Sequence, residues 1–160
     1  MDIDAPPQSG GTMELLSFRL GADEYCLDIM SVREIRGWSR PTPLPHAAPH
    51  MRGVLNLRGT ILPIVDLSIR LGMAGVSGDP RNVFIVVGHG GLLTGLLVDS
   101  VSDILTVPRS DLHPPPDIAH YADQTFIGAL AVTGGRMIRL LNLAAVLPSL
   151  PAEAPPRPPS

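Results

Sequence analysis

The sequence predicts an all-β protein made of two small closed barrels, and two observations lead there. Along the middle of the chain, short runs alternate apolar and polar residues and are punctuated by glycine, the period-2 pattern of half-buried strands and hairpins. The same order of segments then occurs twice, with about five strand-like runs in each copy. So many turn signals disfavour a parallel α/β sheet, whereas a small barrel accommodates them and removes exposed edges by closing on itself.

The elements follow in order. "LLSFRL" places Leu16, Phe18 and Leu20 on one face, "YCLDI" does the same with Tyr25, Leu27 and Ile29, and Gly21 to Glu24 is the predicted turn between them. "NLRGTILPIVDL", Asn56 to Leu67, reads as a buried hairpin with Arg58 beside the turn glycine Gly59 and Ile64 in the core. Pro63 lies inside its second strand and, lacking a backbone donor, is expected at a sheet edge or a bulge. "NVFIVVG" and "GLLVD" are uniformly apolar, as strands packed on both faces should be, and "GHGG" supplies glycines for their connection. Helices are short: "LSIRLG" predicts one or two turns ended by Gly72, and "NLAAVLPSL" a short helix ended near Pro148.

The duplication is visible residue by residue. "SVREI" at Ser31 to Ile35 matches "SVSDI" at Ser100 to Ile104, and "RGVLNLRGTILPIVDL" from Arg52 aligns with "IGALAVTGGRMIRLLNL" from Ile127 if one residue is inserted at the second turn. Gly53 then faces Gly128, Gly59 faces Gly134, and Asp66 with Leu67 faces Asn142 with Leu143. The offset starts at 69 and grows to 75, so the second copy carries a longer loop. Residues 14–147 are read as a single domain, its barrels spanning approximately 14–80 and 81–147. Residues 1–13 and the proline-rich 148–160 have little to bury and are expected to be disordered tails; "PPRPP" also fits a short SH3-type ligand.

Composition excludes whole classes of function. All 12 basic residues are arginine, so no P-loop lysine, Schiff-base lysine or lysine general base is available. Cys26 is the only cysteine, which rules out an intramolecular disulfide and a thiolate metal cluster and fits a reducing compartment. A net charge of -3 with dispersed arginines offers no basic patch for nucleic acid or anionic lipid. No signal-peptide pattern and no apolar run near the ~20 residues of a membrane span is present, so a cytoplasmic location is expected.

Motifs for catalysis or metal binding are also missing. The histidines at 46, 50, 89, 113 and 120 form no helical pair with an intervening glutamate, and no metal or cofactor is expected. "GHGGLLTG" has Leu93 where a dinucleotide fingerprint needs its third glycine, and "GWSRP" lacks the last glycine of a nucleophile elbow. Glu34 and Asp103 occupy equivalent repeat positions and read as surface charges rather than an acid-base pair. The few scattered aromatics make no base-stacking platform. No catalytic residue is expected.

"EYCLDIMSVREIRG", "MRGVLNLRGTILPIVDLSIRLG", "TGLLVDSVSDIL" and "MIRLLNL" together resemble the CheW family, the coupling proteins of bacterial chemotaxis arrays. The resemblance runs from about Leu15 to Leu147, and "NLRG" to "PIVDL" is its most specific part. It implies two intertwined five-stranded SH3-like β-barrels that exchange strands or helices, and no catalysis. It also implies an adaptor recruited to membrane-associated arrays, with two partners: the cytoplasmic tips of methyl-accepting chemoreceptors and the regulatory domain of the histidine kinase CheA. Further copies of the same family would join these in rings.

Carried onto this sequence, the resemblance places receptor binding at Glu34 and Arg58, with Val32 and Gly53 nearby. Arg58 beside a turn glycine can project its guanidinium to carboxylates or carbonyls of a receptor helix, or pair internally with Glu34 and brace the groove. The loop "GWSRPTPLPHAAPH" falls near the kinase contact surface, with Trp38 and Leu44 as anchors there and core packing as the alternative for Trp38. Two other readings stay open: a CheW-like adaptor of a kinase pathway for pili, surface behaviour or development, and a small ligand-binding β-barrel.

Overall fold

The computed structural model describes residues 11–75, 80–115 and 126–147. Within them eleven strands and two four-residue helices follow one another: β1 Thr12–Leu20, β2 Asp23–Asp28, β3 Val32–Gly37, β4 Met51–Leu57, β5 Thr60–Asp66, α1 Leu67–Arg70, β6 Val83–His89, β7 Leu92–Val98, β8 Ser100–Pro108, β9 Leu112–His113, β10 Ile127–Thr133, β11 Arg136–Leu141 and α2 Leu143–Val146. Thr12 and Met13, read from sequence as tail, begin β1 opposite Pro108 and Val107 of β8. Residues 1–10 and 148–160, including "PPRPP", lie outside the described residues.

The local turns form where the chain demands them. Gly21 and Ala22 alone connect β1 to β2, a tighter turn than the four residues predicted, and Gly90 and Gly91 join β6 to β7 with φ of 61° and 83°. α1 starts where the Asp66 side chain accepts the Ile69 amide at 3.3 Å and ends as Gly72 turns to φ 85°. Asn142 takes the same N-cap position for α2, where its side chain makes no capping hydrogen bond.

The sheets do not divide where the sequence halves do. The first has the order β8-β1-β2-β11-β10-β9 and the second β3-β6-β7-β5-β4. Each therefore combines a hairpin from one copy, β1–β2 or β6–β7, with strands β8, β10 and β11 or β3, β4 and β5 of the other. Two parallel pairings seal the exchange, β11 with β2 and β5 with β7. These are the two intertwined barrels, and the boundary near residue 80 separates sequence copies rather than barrels. The two-residue β9, and an isolated bridge from Thr42 to Val54, add the same short pairing to β10 and β4.

Register corrects one detail of the repeat. Gly53 pairs with Ile64 as Ala129 pairs with Leu140, and the hairpin turns are Arg58–Gly59 and Gly134–Gly135, two residues in both copies. No residue is inserted at the second turn. Arg52 corresponds to Gly128, Gly53 to Ala129, Arg58 to Gly134 and Gly59 to Gly135, whereas Asp66 still matches Asn142. Matching glycine to glycine misled the alignment, because Arg52 and Gly128 are the extra residues of equivalent β-bulges.

Pro63 is likewise not on an edge strand: β5 lies between β4 and β7. However, the ladder to β7 begins only at Ile64, so residues 60–63 are paired on the β4 side alone. Counting alternate pairs from the two-residue turn puts Val54–Pro63 among those that exchange no hydrogen bonds. The missing proline donor therefore costs the β4 ladder nothing.

The main core takes side chains from both sheets, including Leu16, Phe18, Leu20, Tyr25 and Leu27 from the first and Leu62, Ile64, Phe84, Ile85 and Leu96 from the second. A smaller one, Leu15, Cys26, Val107, Ala131 and Ile138, belongs to the first sheet. β1 lies between them, so neighbours Leu15 and Leu16 are both buried. Each such side chain stabilises the fold by about 1.5–3 kcal/mol relative to exposure. Between the helices, Arg70 of α1 donates to the carbonyls of Val146 at 3.0 Å and Ala145 at 3.1 Å and covers the Phe126 ring at 5.1 Å. One side chain thereby satisfies the end of α2 and ties the copies together.

Burial pushes the Cys26 thiol up to about 12, with the Glu24 charge adding to the effect. The neutral thiol is thus favoured throughout the physiological range. Iodoacetamide at pH 8 is expected to leave Cys26 unmodified in the folded chain and to label it in denaturant, as read by intact mass; labelling of the native protein would contradict this burial.

Candidate docking site

Of the sequence-selected residues, Glu34 and Arg58 are brought together. β3 alternates half-buried Val32, Glu34 and Arg36 with exposed Arg33, Ile35 and Gly37. Although β3 and β4 are the two edges of their sheet, its curvature carries the β4–β5 turn back to β3. There Arg58 Nη2 donates to Glu34 Oε1 at 2.7 Å, and Arg36 Nη1 donates to Glu34 Oε2 at 3.2 Å. The Arg58 side chain is 69% exposed and that of Glu34 30%, so the pair closes the barrel edge while most guanidinium donors face solvent. The arginine thus pairs internally with Glu34 and projects from the surface at the same time.

The backbone under Arg58 is unusual. Its φ is 52° and that of Gly59 is 87°, the left-handed pair that a two-residue hairpin turn needs. The Asn56 side chain accepts the Gly59 amide at 2.8 Å and holds the turn. The other copy uses glycines at both positions, Gly134 and Gly135, with φ of 58° and 76°. A non-glycine residue there costs about 1 kcal/mol or more. Arginine stands at this position in the turn from which its side chain reaches Glu34, whereas the other copy has glycine.

The Arg58 hydrogen bond first, and then that of Arg36, holds the Glu34 carboxyl below the usual glutamate range. A lowered value means that the paired state is complete above about pH 4.3 and is lost as pH falls through the lowered value. The carboxyl-carbon titration of Glu34 followed by NMR is expected to have its midpoint below about 4.3, the unperturbed value; a midpoint at or above it would contradict the pairing.

Val32 is half-buried and packs against the core, pairing with Val87 just before a bulge that makes Arg33 the extra residue. Gly53 is buried with φ 137°, and a Cβ built on it would lie 2.6 Å from the Thr42 carbonyl carbon and closer still to its oxygen. It supports the Thr42–Val54 bridge beneath the proline-rich loop instead of offering a surface. Gly53→Ala is expected to destabilise the chain by roughly 2 kcal/mol or more, since the clash is with backbone and φ is left-handed, measured by urea unfolding. An unchanged midpoint would contradict this packing.

The loop anchors separate. Trp38 is half-buried and stacks on fully buried Phe84, ring centroids 5.5 Å apart at 20°, so its core alternative describes its main contact. Leu44 is 45% exposed. The sequence reading overlooked Arg36 and Asn56. Arg36 was accessible from period-2 alternation, which puts it on the face of Glu34; Asn56 was accessible as an acceptor just ahead of a hairpin turn. At the other end of the β4–β5 hairpin, Arg52 binds the fully buried Asp66 at 2.8 Å, making Asp66 both helix cap and ion-pair partner. No group of three metal-ligating side chains converges among the described residues.

Fold and surface define a class: a two-barrel β module that carries on its surface an arginine already paired with a glutamate. The chain belongs to the CheW family, since the CheW-like domain model matches residues 14–150. It is 49% identical over 146 residues to the chemotaxis protein CheW of Rhizobium meliloti (strain 1021), covering 91% of this chain and 94% of that protein. It is 45% identical over 144 residues to a probable chemotaxis protein CheW of Rhizobium etli, covering 90% and 93%. Among solved structures, the scaffolding protein CheW of Thermoanaerobacter tengcongensis superposes with a TM-score of 0.76 at 29% identity, covering 81% of this chain and 88% of that one.

Proposed function

We propose that this chain is a chemotaxis adaptor that couples methyl-accepting chemoreceptors to the histidine kinase CheA and helps to assemble their signalling array by binding alone, without catalysis. Membership of the CheW family sets the class. The observation that carries the site is Arg58: exposed, clasped by Glu34, and held in a left-handed turn where the duplicate copy has glycine. Arg58 receives the receptor helix through its free donors, Glu34 fixes the guanidinium plane, and Val32 positions β3 beneath them. Gly53 keeps the neighbouring loop in place. Leu44 is the kinase-side anchor on that loop, and the Trp38 stack on Phe84 holds the loop rigid. In the cell the chain is cytoplasmic and recruited to arrays through its partners; no helix among the described residues is long and apolar enough to cross a membrane.

Co-sedimentation with an array-forming receptor fragment and its cognate CheA tests this reading. The chain is expected to pellet with the receptor and to bring the kinase with it; a chain that stays in the supernatant in every combination would refute it.

A further inference from the structure

The duplication offers an internal comparison between the barrel ends at which the exchanged hairpins turn. In the first sheet this end is charged and self-satisfied. Arg136 of β11 binds both carboxylate oxygens of Glu24 at 2.8 and 2.9 Å, and Arg139 lies 3.9 Å from Asp23 and over the Tyr25 ring at 5.2 Å. In the second sheet the register puts Thr60 and Pro63 in place of the two arginines, and Leu92 and Leu93 in place of the two acids. Leu92 is 48% exposed and Ile61 62%. Ile61 precedes Ile64, and Leu92 precedes Gly95, by three residues on paired parallel strands, so both lie at this end.

Arg33, the extra residue of the β3 bulge, completes it. A Cβ built on Gly88 would come within 2.7–2.8 Å of three guanidinium atoms of Arg33, so the guanidinium rests directly on the glycine. Gly88 is not in the left-handed region, and glycine inside a strand weakens it. What its missing side chain does is seat Arg33. Nη1 of that arginine donates to the Met30 carbonyl at 3.1 Å, no carboxylate pairs with it among the described residues, and Asp28 is committed to the Met30 amide at 3.0 Å. The Met30 side chain is 78% exposed. Arg33 and residues Gly88 to Leu93 line an open depression of about 200 Å³.

We propose that this end of the second barrel is a docking surface for a protein segment that presents a carboxylate between aliphatic side chains. The carboxylate meets Arg33, and the aliphatic groups cover Met30, Ile61 and Leu92. Charge complementarity selects the acid, because the cation here is seated but unpaired, unlike its counterparts at the other barrel end. The proposal rests on the adaptor reading only in taking a protein as the occupant, and it uses no residue of the Glu34–Arg58 site.

The test is an amide NMR titration of the full chain with the peptide acetyl-Ser-Leu-Glu-Ile-Ser-amide and with its glutamine counterpart. Shifts are expected at the amides of Gly88 to Leu93 with the glutamate peptide, and binding roughly five- to tenfold weaker for the glutamine peptide or in Arg33→Met. Gly88→Ala, which dislodges only a flexible side-chain end, is expected to give the same loss with an unchanged fold. No shift at these amides, or equal shifts with both peptides, would overturn the proposal; so would the same shifts on concentrating the protein alone, which would make the occupant a second copy. Receptor co-sedimentation of Arg33→Met is expected to equal that of wild type. Failure of wild type in that assay would count against the adaptor reading and leave the peptide result standing.

Discussion

Arg58→Glu is expected to weaken association with a receptor-tip fragment by roughly tenfold or more while leaving the fold intact. The substitution reverses the charge of a side chain that is 69% exposed and sets a second carboxylate against Glu34, so the clasp opens and the surface now repels acidic receptor groups. It creates no cavity and buries nothing, and glutamate tolerates the left-handed turn about as poorly as arginine does, so the melting temperature should stay within a few degrees of wild type. Sedimentation with receptor fragment, alongside a thermal melt of the mutant alone, separates the two effects. Undiminished binding would remove Arg58 from the site, whereas lost binding with a collapsed melt would make its role structural.

Ile64→Asp is expected to do the opposite, destroying the fold and every partner interaction with it. Ile64 is fully buried, and its Cδ1 occupies the space that a side chain at Gly95 would need, where β5 begins its pairing with β7. An unpaired carboxylate there costs about 4 kcal/mol or more, comparable with the whole stability of a small domain, whereas Ile64→Val should cost only about 0.5–1.5 kcal/mol. Reading the sequence alone confines the damage to a first barrel. The exchanged hairpins change that expectation: strands from both copies share the core around Ile64, so both barrels should unfold in one transition. Circular dichroism and thermal melts measure this, and a surviving cooperative transition from one barrel would contradict the shared core.

How far the sequence carried follows from which interactions are local. The β1–β2 and β4–β5 hairpins, the burial of Leu16, Phe18 and Leu20, and the stop of α1 at Gly72 depend on neighbours in the chain, and alternation and glycine exposed them. Exchange of the β1–β2 and β6–β7 hairpins depends on pairings far apart in sequence, which local patterns do not encode; it came only with the family resemblance. The repeat was legible but slipped by one residue, because glycine was matched by type while Arg52 and Gly128 share a bulge that only register reveals. At the site, the Glu34–Arg58 pair was anticipated as an alternative. That Arg58 itself takes a left-handed φ was not, since arginine gives no sign of it. Gly53 was placed with the receptor groove, but its burial against Thr42 makes it a support.

CheA autophosphorylation in a reconstituted mixture of receptor fragment, kinase and this chain, comparing wild type with Arg58→Glu, asks whether the chain couples receptor to kinase through the Arg58 surface. The wild type is expected to raise kinase activity only when receptor is present, and the mutant, folded and at the same concentration, is expected to leave it unchanged. Equal activation by both proteins, or none by the wild type although all three components co-sediment, would contradict that coupling.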